Sequence, residues 1–588
     1  MTNSVTATMQ WGSNIRVVVG IDFGTTFSGF SYCHLASRDN IVINDQWSEN
    51  IGQSKTNTVL QYDQDFNEVL KWGAPALARR QRRRDERSET KPVELFKLCL
   101  GNLEENLKPK LPVEYKKAIT DYLTKIGELI RTKVEASWSN LDFLKDVLFV
   151  LTVPAEYSEK EKAIMRECAY NANLISEKGS DLLQFTTEPE AAAVYCMENC
   201  LREHDLSDTE SEENEETTFM IVDCGGGTVD LTTRKIVGND VGEVTERSGD
   251  YCGSTFVDRA YLDHLKRILG HSAIDNLREN NYKQLQYMIQ KFCRQAKFLF
   301  TGEDRNFSYD LDIVDIARDL QQYVTGETEQ LMEERDWLIQ FNFNDIKSMF
   351  DPTVERILKL IELQLENCSK KCSIMFLVGG FSQSVYLQRR IREKFNDVVR
   401  NISVPTHPIA TIVRGATLYG LLVYDRVNNN SESEVRLKLT TRVLKFTYGI
   451  KIVDTWKRND PTERRTSKGE IIRFLPIGKA KRGNSVKIDE YIFADKELGP
   501  NNPFQTKATF YIYYTRELDA KYCDDPGMEC LGKLKIDLPD VHLGLNRPLK
   551  FGLSFGEMEI KATARNATNG QCYLTTFEID DTENGENN

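Results

Sequence analysis

Long apolar runs are missing from these 588 residues. No stretch approaches the length of a membrane span, and the opening MTNSVTATMQWGSNIR has neither the basic start nor the apolar middle of a secretion signal. No membrane span is expected, and the expected location is cytoplasmic. A basic excess is missing too: the net charge is −13, which argues against nucleic acid as a partner. Histidine is scarce, with 6 in all, and none stands at finger spacing from Cys196/Cys200 or Cys368/Cys372, so these pairs are not read as zinc ligands. The 13 cysteines are odd in number and scattered, as reduced cytosolic thiols are. Without secretion, the glycan acceptor Asn566-Ala567-Thr568 carries no meaning.

What is present is a chain of ordinary globular make-up, 40% hydrophobic and 28% charged, with length for roughly two to four domains. Its most informative stretch is Phe219 to Thr232, FMIVDCGGGTVDLT. An apolar strand ends at Asp223, Gly225, Gly226 and Gly227 follow, then Thr228, and alternation resumes around Asp230. A glycine run between strands lets backbone approach a ligand closely, and consecutive free amides make an anion-binding concavity. The flanking acids would repel a bare phosphate, so an anion here implies a cation beside it. Val17 to Ser28, VVVGIDFGTTFS, repeats the pattern with Asp22, Gly24, Thr25, Thr26 and Phe27. In both, a strand follows the glycines, where a Walker loop or Rossmann turn has a helix. One such hairpin could be an ordinary glycine turn; two facing hairpins would clamp a polyphosphate.

The two hairpins resemble the phosphate loops of the actin, sugar-kinase and heat-shock ATPase superfamily, and most closely those of the seventy-kilodalton heat-shock chaperones. Other stretches extend the resemblance in order. Lys97, in VELFKLCLG, is by composition either a snorkelling lysine or one aimed at an anion; the resemblance implies contact with the terminal phosphate. Glu188-Pro189 and the alanines after it resemble the first connecting motif, which implies a Glu188 carboxylate aimed at metal and attacking water; otherwise Glu188 is an acid at a helix start. Gly253-Ser254-Thr255 resembles a shorter third glycine turn. Cys293 to Phe298 resembles the adenine-contacting helix and keeps Lys297, but Arg294 stands for the family's Glu and Phe298 for its Arg. A phenyl ring can still stack on a purine. Gly379-Gly380-Phe381-Ser382 resembles the adenosine motif, with Phe381 and Gln383 where the family has Ser and Arg. Arg414 to Gly420 resembles the second connecting motif, and Pro154 the family's relay position.

The expected fold is α/β: a two-lobed actin-like ATPase of duplicated ribonuclease-H-like domains, then a C-terminal antiparallel β-sandwich. Residues 1–15 are read as a leader and 16–425 as the nucleotide domain, with lobe I to about 200, an acidic insert at 203–217 and lobe II from about 218. A linker at 426–440, a sandwich at 441–577 and an acidic tail at 578–588 complete the chain, with no helical lid. Short alternating runs such as Thr509 to Tyr514 and Leu549 to Phe555 carry the sandwich reading. The arginines between Arg79 and Arg87 are a solvated face or a docking patch.

The resemblance implies ATP/ADP and Mg²⁺ as cofactors, with Asp22 and Asp223 on the metal. The turn residues would hold the phosphates, and Lys97, Glu188, Asp223 and Thr228 would serve a slow hydrolysis. The expected function is a nucleotide-switched, chaperone-like protein whose partners are polypeptide clients and a co-chaperone or exchange factor. The alternatives are a signalling protein that binds nucleotide with little turnover, a small-molecule kinase of the same superfamily, and an actin-like filament.

Overall fold

One chain path is traced twice. Strand Val17–Phe23 turns back as Phe27–His34 and is flanked on its other side by the parallel strands Val147–Val153 and Leu183–Thr187. Strand Thr217–Cys224 likewise turns back as Val229–Val237 and is flanked by parallel Ile374–Val378 and Asn401–Ser403. Val17–Phe23 and Val147–Val153 are buried along their whole length, which is why they read as unbroken apolar runs. The computed structural model describes residues 15–576 apart from 49, 78–89, 102, 204–216, 239, 369, 429–437, 489, 557 and 568–569. The leader to residue 14, the arginine cluster, the body of the acidic insert, most of the linker and the acidic tail lie outside the described residues.

Each sheet path continues into a helix, Glu188–Glu203 after the first and Thr411–Val427 after the second. These helices cross almost backbone to backbone: a Cβ on Gly415 would stand 1.8 Å from the Ala191 carbonyl oxygen. Ala191, Ala192, Ala193 and Ala416 share a core there with Val18, Val150, Ile221 and Phe376 of the two sheets. The small residues of the two connecting motifs thus set the spacing of the lobes.

Apolar periodicity predicts helices over Tyr115 to Glu135 and Glu159 to Ala172, and helices stand there. Tyr115–Ser137 buries Ala118, Tyr122, Ile126 and Val134, and Glu159–Asn171 begins on a capping box between Ser158 and Glu161. Apolar periodicity predicts a helix over Val354 to Cys368; the helix begins earlier, spanning Phe343–Glu366, capped by Asn342 and Asp345, and runs through Pro352.

Residues 447–576 fold into two four-stranded antiparallel sheets over one core. Ile450, Phe510 and Ile512 enter it from one sheet and Phe551, Leu553 and Ala562 from the other, with the Phe510 and Phe551 rings 4.9 Å apart. Strands Glu470–Pro476, Tyr491–Phe493 and Cys572–Thr576 add to the runs read from alternation. The end of the expected linker is itself a strand: Lys438–Val443 pairs in parallel with Asp240–Glu243 and antiparallel with Ser485–Lys487, extending the second lobe's sheet.

The two-sheet unit is also anchored on the first lobe. Met558 is buried within that lobe's core, and its carbonyl accepts from Lys162 Nζ. Arg166 donates to both Glu559 oxygens at 2.8 and 2.5 Å, and Ile560 N donates to Glu159 Oε2 at 3.2 Å. Among the described residues no helix is long and apolar enough to cross a membrane.

Candidate functional site

The turns of the two hairpins face each other in contact. A Cβ on Gly226 would stand 2.2 Å from Thr26 Oγ1, and one on Gly227 2.7 Å from Thr25 Oγ1. Only glycine allows the second turn so close to the threonines of the first. The third turn lies over the second: Gly253 N, Ser254 N and Thr255 N donate to the carbonyls of Gly227, Gly225 and Gly226 at 3.1, 3.1 and 2.9 Å. That seats the N-terminus of helix Thr255–Leu269 on the second turn. Gly379, at φ 83°, backs the same turn, its absent Cβ leaving room for Asp223 Oδ1.

These bonds revise the expected phosphate cradle. The amides of Gly24, Gly225, Gly253 and Ser254 already donate within the protein, Gly24 N to Ser28 Oγ at 3.2 Å and Gly225 N to the Thr228 carbonyl at 3.0 Å. The amides of Thr25, Thr26, Gly226 and Gly227 find no protein acceptor among the described residues. The unbonded amides therefore lie at the turn tips.

Beneath the tips lies a buried carboxylate cluster. Asp22, Asp223, Asp230 and Glu188 are 2%, 1%, 1% and 7% exposed. Asp223 and Asp230 are cross-strand partners in the second hairpin. Asp223 Oδ1 and Asp230 Oδ2 are buried without a hydrogen-bond partner. Burial first, then the charges of Glu188, Asp230 and Asp22, push the Asp223 carboxyl well above the carboxylate range. Burial and Glu188 push Asp230 up to about 7, against the opposing pull of the Thr228 hydroxyl and the Ala155 amide. Like charges held this close in a dry site call for a cation.

Two lysines supply part of that charge. Lys97, in the short 3₁₀ turn Phe96–Cys99, donates to Glu188 Oε1 at 2.7 Å and to the Phe23 carbonyl at 2.5 Å. Lys97 and Glu188, 91 residues apart in sequence, thus form one buried ion pair. Lys55, unremarked in the sequence reading, bonds Asp22 Oδ2 at 2.5 Å. The signal that could have revealed it is Gly29, the cross-strand partner of Asp22, whose missing side chain opens the way for the lysine stem. Among the described residues no three His, Cys, Asp or Glu side chains gather closely enough to hold a metal alone. The donor set with its orphaned Asp223 oxygen instead fits a hydrated, phosphate-borne divalent ion, which takes one or two carboxylates.

The residues expected around the base are divided. Lys297, in the π turn Cys293–Lys297, donates to the Ser254 carbonyl and to Asp258 Oδ1, both at 2.7 Å, and so braces the third turn. Phe298 is 39% exposed and open to stack on a flat ligand. Phe381 is not: at 1% exposed it packs against Phe350 inside the second lobe, so the side-chain contact expected of it is withdrawn. Its larger ring prefers the apolar core to the cleft. Gly380 is partly exposed, and a Cβ built on it would meet only Ile409, at 4.0 Å. A separate cavity of about 70 Å³ lies away from the hairpins, between Tyr157, Lys162, Arg442, Tyr448, Phe555 and Met558.

Known proteins align over nearly the whole of this chain. It is 24% identical to human heat shock 70 kDa protein 12B over 96% of this chain and 91% of the relative. The corresponding figures for mouse heat shock 70 kDa protein 12A are 24%, 94% and 90%. A heat shock cognate HSP70 protein of Trypanosoma brucei brucei is 24% identical over 45% of this chain and 35% of the relative. Residues 212–404 match a family described as a domain of unknown function, DUF8340. With two glycine hairpins face to face and relatives aligned over nearly its whole length, the chain is similar throughout to divergent 70 kDa heat-shock proteins.

Proposed function

We propose that this chain binds Mg²⁺-ATP between its two hairpins and hydrolyses it slowly to switch its C-terminal unit. The proposed fold is a duplicated, actin-like ATPase followed by a β-sandwich. One observation carries the reading: two glycine turns in contact, with unbonded amides at their tips and a cation-poor carboxylate cluster beneath them. Amides at Thr25, Thr26, Gly226 and Gly227 would hold the β- and γ-phosphates. Asp223, through its unpartnered oxygen, and Asp22, once parted from Lys55, are the residues that would hold a hydrated magnesium ion, which supplies neutralisation of phosphate charge when bound. Lys97, released from Glu188, would face the terminal phosphate; Glu188, with Thr228, would then orient the attacking water. Positioning and charge stabilisation are most of what phosphoryl transfer requires.

The partner of the switch is proposed to be a polypeptide. Val453 and its cross-strand neighbour Ile472 lie exposed on one sheet, and Tyr511 of the same sheet is 41% exposed. Such apolar side chains suit an extended chain. A co-chaperone or exchange factor belongs to the same proposal, as does a cytoplasmic location. The Lys97–Glu188 pair favours a second reading, a nucleotide sensor with little turnover, because each group is spent on the other.

The test is ATP affinity and phosphate release for wild type, Asp223→Asn and Glu188→Ala. Binding with turnover that falls in both variants supports the switch. Binding with equal turnover in all three supports the sensor, and no binding by wild type overturns both.

A further inference from the structure

Lys55 belongs to none of the recognised motifs, yet it reaches the centre of the site. Its side chain is 11% exposed and its Nζ lies 2.5 Å from Asp22 Oδ2. The path is built for it. A Cβ on Gly29 would stand 2.9 Å from Lys55 Cγ and 2.6 Å from the Ser54 carbonyl oxygen. The following residues, Thr56 and Asn57, are tied to the first hairpin by pairing with Ser28 and Phe27. The other Asp22 oxygen meets Thr152 Oγ1 at 3.4 Å. Both Asp22 oxygens therefore face protein donors, while Asp223 Oδ1 faces none. Lys55 also draws on Asp223, opposing the burial that drives that carboxyl up.

We infer that Lys55 is a resident counter-cation of the phosphate site. Its ammonium holds the Asp22 oxygen that a divalent ion would use, so this chain binds a nucleoside triphosphate with little dependence on divalent metal and binds bare divalent ions poorly. The inference rests on the nucleotide reading of the hairpins. Its physical basis is charge: four buried carboxylates face two ammonium groups, and a cation already ordered and desolvated opposite Asp22 needs no recruitment from solvent. A divalent ion entering at Asp22 must first break that pair.

Two measurements on the full chain decide it, with Lys55→Met as the main variant and Lys55→Arg as the charge-keeping control. The first is ATP affinity by calorimetry, in Mg²⁺ and in EDTA. Wild type should differ by less than about tenfold between the two conditions, and Lys55→Met should lose about a hundredfold in EDTA while keeping its Mg²⁺-supported binding. Lys55→Arg should stay close to wild type in EDTA, separating lost charge from damaged folding. The second is Mn²⁺ binding without nucleotide, followed by electron paramagnetic resonance, where Lys55→Met should bind about tenfold more tightly than wild type. A wild-type metal dependence as steep as the variant's, or Mn²⁺ affinity unchanged by the substitution, overturns the inference. If wild type binds no ATP even with Mg²⁺, the nucleotide reading and the ATP half of this inference fall together; the Mn²⁺ comparison still decides whether Lys55 guards Asp22.

Discussion

Asp230 Oδ1 accepts a hydrogen bond from the Ala155 amide at 2.8 Å, joining the second glycine hairpin to the residue after Pro154. The next residue, Glu156, pairs with Lys445 at 2.6 Å, just beyond the strand that extends the second lobe's sheet. Three residues on, Glu159 accepts from Ile560 of the two-sheet unit. A carboxylate beneath the turn tips is thus linked through Ala155 and Glu159 to the C-terminal unit. Pro154→Ala should loosen that path by freeing the backbone that aims Ala155 N. Nucleotide affinity should hold within about threefold, while nucleotide ceases to change the proteolysis pattern of residues 447–576. A lost affinity with an intact proteolytic response would contradict this.

Asp230 and Asp223 also set a pH dependence. Their carboxyls are raised in the folded protein, Asp230 to about 7, by burial and then by Glu188. Between about 4 and about 7 the folded state holds more protons than the unfolded chain, so stability falls as pH rises through that window. The thermal midpoint of the nucleotide-free protein should drop across it, and Asp230→Asn should flatten the slope. Equal slopes in the two proteins would remove Asp230 as the cause.

Glu190 works in the opposite sense. Burial alone would raise its carboxyl, but Arg442, Arg234 and Arg247 draw it down to about 2. Arg234 Nη2 lies 3.0 Å from Glu190 and 3.1 Å from Glu243, both fully buried at their side chains. Because the folded value is depressed, the stability it contributes is present above about 4.5 and is lost as pH falls toward 2. Glu190→Gln should lower stability by about 3–5 kcal/mol, since two guanidiniums would lose their buried partner. Urea denaturation near neutral pH reads it; a change under about 1 kcal/mol would show that Glu243 alone satisfies the arginines.

Met558 is the apolar plug of the docked unit. Met558→Ala should remove about 2–5 kcal/mol of packing and expose Glu159–Asn171. Hydrogen exchange along that helix should rise while the core of the two-sheet unit, built around Ile512 and Phe551, stays protected. Uniform loss of protection would mean that the two units unfold together.

Gly226→Ala tests the contact between the turns. The new Cβ, 2.2 Å from Thr26 Oγ1, must part them. ATP affinity should fall about tenfold or more, and Thr26→Ala in the same chain should recover part of it, a coupling expected only of touching residues. Additive losses would place the defect elsewhere.

Local pattern determined much of this protein. Glycines closing apolar strands at Asp22 and Asp223 named both turns, because close approach and free amides are properties of a few adjacent residues. Periodicity placed the helices for the same reason, and alternation most of the C-terminal strands. Tertiary structure alone decided what those elements meet. Lys55 reaches Asp22 through a space left by Gly29, Lys97 spends its charge on Glu188, and Phe381 turns inward to Phe350. Likewise, the strand Lys438–Val443 could be read as linker because its partner, Asp240–Glu243, lies about two hundred residues earlier. Each of these outcomes depends on burial and on partners distant in sequence, whose energies belong to pairs and clusters and leave no periodic trace along the chain.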